Sequence, residues 1–177
     1  MLKELTGPQK QLLNQINEYC RLYGRFPISN GKFVSTYIDM YSLTTDRQFM
    51  NNICLQLTDL MLEHGLKPDY LAGKELHGAL IAQFMGAWTN TNSIIVRKND
   101  RLLSPVTGSP KRNEVVLIDD VISAGINMER SYDIIEDNGY HVSGILCIVY
   151  RGGGAKEKAD HLGVPFDYLF EIPEEII

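Results

Sequence analysis

The sequence predicts an α/β fold, with a mostly parallel central sheet flanked by helices and a small N-terminal hood. Three observations predict it. Short apolar segments alternate with helical ones from Tyr70 onward, the pattern of a parallel sheet with helices on both faces. Val115-Val116-Leu117-Ile118 is a continuous apolar run, as strands buried on both faces show. The 177 residues, 44% hydrophobic and 22% charged, suit one soluble domain with a real core. The expected division is a single domain over 1–177, with a hood and N-terminal helix over 1–45 and the core over 46–177.

The elements follow in order. Gln9–Leu22 carries Leu12, Leu13, Ile16, Tyr19 and Cys20 at helical spacing behind Gly7-Pro8. Phe26–Leu43, with Pro27 and Ser29-Asn30-Gly31, reads as a turn and short extended pieces, a hairpin. Asp46 is the expected N-cap of a helix to about Glu63, closed by His64-Gly65. Tyr70–Ala72 is a strand, Gly78–Ala87 a helix and Ser93–Val96 the next strand. The polar stretch Arg97–Asn113, with Pro105, Gly108 and Pro110, is a long loop. After the Val115–Ile118 strand come a helix over Ile126–Asp137, a strand over Val142–Val149, a helix over Ala155–His161 and a last strand over Phe166–Phe170.

Composition narrows the function. No apolar run approaches the roughly 20 residues of a membrane helix, and no signal region follows the N-terminus, so a cytoplasmic protein is expected. Cys20, Cys54 and Cys147 are far apart, which argues for buried free thiols over a disulfide framework or zinc site. The net charge of −5 disfavours a nucleic-acid surface. Arg97, Lys98, Arg101, Lys111 and Arg112 nevertheless share one short stretch, which suits a small, highly anionic ligand. Gly152-Gly153-Gly154 has no Lys-Ser/Thr after it and reads as a flexible turn.

The run Val115–Ile126 carries the chemistry. Its apolar residues build a strand, Asp119 and Asp120 stand at the strand's carboxyl end, and Ser123-Ala124-Gly125 turns into a helix. Open α/β sheets bind ligands at this edge. Uncovered backbone N–H groups of Ser123, Ala124 and Gly125, with a helix N-terminus behind them, form a site for a phosphate monoester, and the flanking Val121, Ile122 and Ile126 are expected to belong to the same phosphate-binding run. The two carboxylates would repel that phosphate, so they face something else, and a ribose diol offers them O–H donors.

This run resembles the signature of the type I phosphoribosyltransferases, which bind 5-phosphoribosyl 1-pyrophosphate (PRPP). Within that superfamily the chain is most similar to orotate phosphoribosyltransferase. Gly24–Lys32 followed by Tyr37-Ile38-Asp39 is similar to that family's N-terminal segment, and Asp69–Gly73 to its pyrophosphate-loop strand. Arg97-Lys98 matches the start of the family's catalytic loop. Arg151 falls where the family has the arginine that holds the orotate carboxylate. The resemblance implies a type I phosphoribosyltransferase fold and phosphoribosyl transfer from PRPP to a nucleobase, most simply orotate, with release of pyrophosphate. It implies Asp119, Asp120, Arg101 and Lys98 as catalytic residues. It also implies Lys74, Arg97 and Lys98 on the phosphates, and Lys32, Phe33 and Arg151 on the base. Mg²⁺ is implied without direct side-chain ligands, as is a homodimer in which the loop of one subunit completes its neighbour's site.

The chain departs from the family pattern at four positions. Ser29 stands in place of a lysine, His77 replaces the pyrophosphate-loop lysine, Arg101 occupies the catalytic-loop lysine position and Leu103 that loop's histidine position. Leucine donates no hydrogen bond. Two other functions therefore fit: a PRPP- or nucleotide-binding sensor without catalysis, and a phosphoribosyltransferase for another base. The remaining histidines, His64, His141 and His161, are scattered and read as structural.

Overall fold

The computed structural model describes residues 5–28, 32–105 and 113–177. The sequence-predicted contributions of Ser29, Lys111 and Arg112 lie outside those residues.

Helix α1 (Gly7–Gln15) starts where the Thr6 side chain accepts the Gln9 N–H and Gln9 reciprocates, with Pro8 in the first turn. It continues as a π-helical turn over Ile16–Cys20 and then stops. The helix expected through Leu22 thus ends two residues early, and Arg21 already belongs to strand β1 (Arg21–Pro27). β1 pairs antiparallel with β2 (Phe33–Ile38), so the expected hairpin exists and begins five residues before Phe26. No glycine or proline marks the change at Arg21. A short helix α2 (Tyr41–Thr44) leads to α3 (Arg47–Glu63), whose N-terminus is capped by Asp46 accepting from the Phe49 N–H at 2.7 Å.

The main sheet is β3 (Tyr70–Lys74), β4 (Asn92–Val96), β5 (Leu102–Leu103), β6 (Glu114–Ile122), β7 (His141–Tyr150) and β8 (Phe166–Glu171). Their order is β5-β4-β3-β6-β7-β8, all parallel except β5. Helices α4 (His77–Thr89), α5 (Ile126–Asp137) and α6 (Ala155–Leu162) complete the crossovers. The stretch read as one loop from Arg97 is therefore interrupted. Leu102 and Leu103 pair with Val96 and Ile95 and extend the sheet edge by a strand. β6 is longer than its apolar run, and takes Asp119 and Asp120 into its pairing with β7.

Alternate residues of β6 enter two cores. Val116 and Ile118 pack with Leu12, Phe49, Ile53 and Leu57 of α1 and α3. Val115 and Leu117 pack with Met128, Ile135, Ala155 and Ala159 of α5 and α6. Full burial of side chains of this size stabilises by about 1.5–3 kcal/mol each, which fixes β6 at the sheet centre. The three cysteines are buried and free, and burial pushes the Cys20 thiol up to about 11 and Cys54 to about 12. No described helix is long and apolar enough to cross a membrane.

Candidate functional site

Four parallel strands deliver charged residues to one sheet edge. β3 ends at Lys74, β4 is followed by Arg97 and Lys98, β6 holds Asp119 and Asp120, and β7 is followed by Arg151. A cleft of about 580 Å³ opens there, between this edge and the β1–β2 hairpin. Its lining includes Lys74, Lys98, Asp119, Asp120, Val121, Ser123 and Arg151, with Phe26, Thr36 and Tyr37 from the hairpin. A larger cavity, about 750 Å³, lies by α1, α3 and β8. Its described lining carries Asp59, Glu63, Asp167 and Glu171 and no lysine or arginine, so it does not suit an anion.

The carboxylate pair is tightly built. Asp119 Oδ1 accepts the Asp120 N–H at 3.0 Å, and Asp120 Oδ2 lies 2.8 Å from His77 Nδ1 at the start of α4. α4 can approach because Gly78 has no side chain. A Cβ there would lie 2.8 Å from the Ile118 carbonyl oxygen and 2.9 Å from Asp119 Oδ1. Burial first, and then the neighbouring Asp120 charge, push the Asp119 carboxyl well above the usual carboxylate range. The two aspartates therefore differ: Asp120 faces a histidine, whereas Asp119 is pressed between β6 and α4.

The small-residue turn is equally well defined. Gly125 has φ +73°, and α5 begins behind it without any side-chain cap, leaving its first N–H groups for an anion. Lys74 Nζ donates to Asn127 Oδ1 in the first turn of that helix at 2.9 Å. Val121 lines the cleft, whereas Ile122 is buried in the sheet and Ile126 is exposed. The triple-glycine turn lies beside the small-residue turn: Gly153 has φ +86°, and a Cβ there would be in ordinary contact, 3.4 Å, with Ala124 N and Ser123 Oγ.

Arg151 is buried to 4% exposure. Its Nη2 donates to the Thr36 carbonyl at 3.0 Å and to Thr36 Oγ1 at 2.9 Å, tying the hairpin to the sheet. Its Nη1 is buried and has no partner among the described residues. Arg151 lines the cleft, and a guanidinium is suited to a planar carboxylate.

Several candidate residues stand apart from the cleft. Lys32 and Phe33 do not line it, and the Arg25 guanidinium lies over the Phe33 ring at 4.0 Å. Arg97 Nε pairs with Glu75 at 3.3 Å, and the same carboxylate accepts the Lys98 N–H at 3.1 Å. The basic stretch thus has an acidic partner, supplied by the β3–α4 connection. Arg101 is exposed beyond a tight turn in which Asp100, at φ +62°, pairs with Arg130. Leu103 sits on β5, 44% exposed.

Sequence reasoning missed the C-terminal segment. The Glu174 N–H donates to the Arg151 carbonyl, and Ser123 Oγ donates to Glu174 Oε1 at 2.6 Å. Glu175 takes Arg21 Nη2 at 2.9 Å and Ser35 Oγ at 2.8 Å, and Ile176 bridges to Val34. The tail ties the hairpin to the sheet and places a carboxylate on the hydroxyl expected to meet phosphate. Its one local signal was an apolar Ile176-Ile177 pair after Pro173 and two glutamates.

The chain is 32% identical over 169 residues to an orotate phosphoribosyltransferase of Pyrococcus horikoshii, covering 93% of this chain and 91% of the relative. It superposes on the solved orotate phosphoribosyltransferase of Aeropyrum pernix with a TM-score of 0.78 at 24% identity, covering 92% of this chain and 93% of that one. The Mycobacterium tuberculosis enzyme solved with PRPP gives a TM-score of 0.72 at 19% identity, with 93% and 96% covered. No protein-family model matches the sequence.

Proposed function

The chain belongs to the orotate phosphoribosyltransferase family, and from that premise we propose that it transfers the phosphoribosyl group of PRPP to orotate, forming orotidine 5'-monophosphate and pyrophosphate. One observation carries the reading at residue level. Asp119 and Asp120, Ser123 at the head of the small-residue turn, and Arg151, whose buried Nη1 has no partner among the described residues, line a single cleft.

In this reading the 5'-phosphate rests on the N–H groups of the turn and the first turn of α5. The ribose hydroxyls donate to Asp119 and Asp120. Arg151 Nη1 takes the orotate carboxylate, and the hairpin residue Phe26 covers the base. The base nitrogen attacks C1' with inversion, and the C1'–O bond breaks with both electrons leaving on pyrophosphate. Positive charge developing on the ribose is met by Asp120 and draws the Asp119 carboxyl towards its ionised form, and negative charge on the leaving group is met by Lys74, Lys98 and Arg101.

Mg²⁺ bound with PRPP neutralises part of the pyrophosphate charge. Among the described residues no group of three or more histidine, cysteine, aspartate or glutamate side chains could cage an ion, and Asp120 is already engaged by His77. In this reading Mg²⁺ would be held by substrate oxygens and water. A homodimer is supported by Leu80 and Trp88, large apolar side chains exposed on α4. Sedimentation tests it, and a monomer would reject it. A cytoplasmic setting is consistent with three free thiols.

PRPP consumption with Mg²⁺ across a panel of bases tests the function. Pyrophosphate release that depends on orotate is expected. PRPP binding without turnover of any base would favour a sensor, and turnover of a different base would reassign the acceptor.

A further inference from the structure

His77 is half-buried at the cleft, with 15% of its side chain exposed. Its Nδ1 is held 2.8 Å from Asp120 Oδ2, and the Tyr41 ring meets it edge-on at 4.4 Å. Its Nε2 is buried without a partner among the described residues. A ring gripped on one nitrogen by a carboxylate has a fixed orientation, and its second nitrogen is a donor only when the ring is protonated. The cleft it lines also carries Lys74 and Lys98, so an anion of several charges is the ligand this corner suits.

We propose that His77, as an imidazolium oriented by Asp120, donates its Nε2–H to the pyrophosphate group of PRPP, so that pyrophosphate binding takes up a proton. This rests on the PRPP reading above and adds a residue and a proton to it. The charges around the ring favour the proton. Asp120 on β6 raises the imidazole pKa above its ordinary value through the hydrogen bond, with further help from Asp120 and Asp39 charge; desolvation and Lys98 oppose it. The positive end of α4, which His77 opens, also opposes it, and Glu75 on the same connection is turned to Arg97 and Lys98. Burial first, and then the Asp120 charge, raise the Tyr37 phenol above its ordinary value, and Tyr41 meets the imidazole through its ring.

The sign follows from linkage. The cation is fully present below the ordinary imidazole pKa, about 6.5, and is lost as pH rises through the raised value in the folded protein. An anionic ligand raises it further. Affinity for PRPP and for pyrophosphate is therefore greatest at the acidic end and weakens with rising pH, by up to about tenfold per pH unit above the folded pKa.

The test is titration calorimetry of the full chain with PRPP and with pyrophosphate, in the presence of Mg²⁺ and in buffers of different ionisation enthalpy. It compares wild type with His77→Lys and His77→Gln. The expected result is extra proton uptake in wild type, absent in both variants, with His77→Lys holding a pH-independent affinity. NMR of the wild-type imidazole gives a readout independent of either variant's folding: its titration should shift upward when pyrophosphate binds. Binding of PRPP with equal proton uptake in all three proteins, or an unmoved His77 titration, overturns the proposal and leaves the PRPP reading intact. If wild type binds neither compound at any pH, both fall together.

Discussion

The carboxyl ends of β6 and β4 bring charge to the same side of the sheet, and they are built differently. Beyond the apolar part of β6, each group is held by another element: Asp120 by His77 of α4, Asp119 against Gly78, Ser123 by Glu174 of the tail. Beyond β4 the cations hang on surface pairs, Arg97 on Glu75 and the Asp100 turn on Arg130. Preorganised groups act on a transition state without reorganising, whereas exposed ion pairs contribute little and are readily exchanged. In the proposed function the ribose and phosphate contacts belong to β6 and the charge neutralisation to the segment after β4.

The largest effect is expected at β6. Asp119→Asn with Asp120→Asn should lower kcat/KM by about 3–4 kcal/mol, two to three powers of ten, while the protein stays folded by circular dichroism. Wild-type turnover in that protein would move the catalytic weight to the β4 side. Gly125→Val comes next. It forces a β-branched residue to φ +73° and puts a Cβ 2.9 Å from the Ala155 Cα. Left-handed backbone alone costs about 1–2 kcal/mol, so ribose 5-phosphate affinity and thermal stability should both fall; unchanged affinity by calorimetry would remove the phosphate from this turn.

A smaller effect of opposite sign is expected from Glu174→Gln. The carboxylate and a phosphate compete for Ser123 Oγ, so removing its charge should tighten ribose 5-phosphate binding by about 0.5–1 kcal/mol. Weaker binding would show that Glu174 organises the turn for its ligand. The smallest effect belongs to Glu75→Gln, which releases Arg97 and the Lys98 N–H at the surface. The thermal midpoint should not move measurably, while the KM for PRPP should become more sensitive to salt. A large loss of stability would mean that the β4 segment is as rigidly built as β6.

What could be read from the chain follows the same division. The β6 signature was legible because its information is contiguous: four apolar residues, two carboxylates, two more apolar residues and three small ones follow in one run. The cap at Asp46 is local in the same sense. Arg21 was misplaced in a helix because a π-helical turn ends at Cys20 with no glycine or proline to announce it. β5 is two residues long, too short for any periodicity, and exists because β4 offers it an edge. The His77–Asp120 pair joins residues 43 apart, and Ser123–Glu174 joins residues 51 apart. The Asp119–Asp120 pair could be found from sequence, but the inequality of its two members depends on α4 and could not.

A crystal structure of the full chain with orotidine 5'-monophosphate tests the account most directly. The expected density places the phosphate on the Ser123–Gly125 turn, displacing the Glu174 carboxylate from Ser123. The ribose hydroxyls should lie on Asp119 and Asp120, and the orotate carboxylate on Arg151 Nη1. A phosphate bound anywhere else, with the Ser123–Glu174 contact intact, would contradict it.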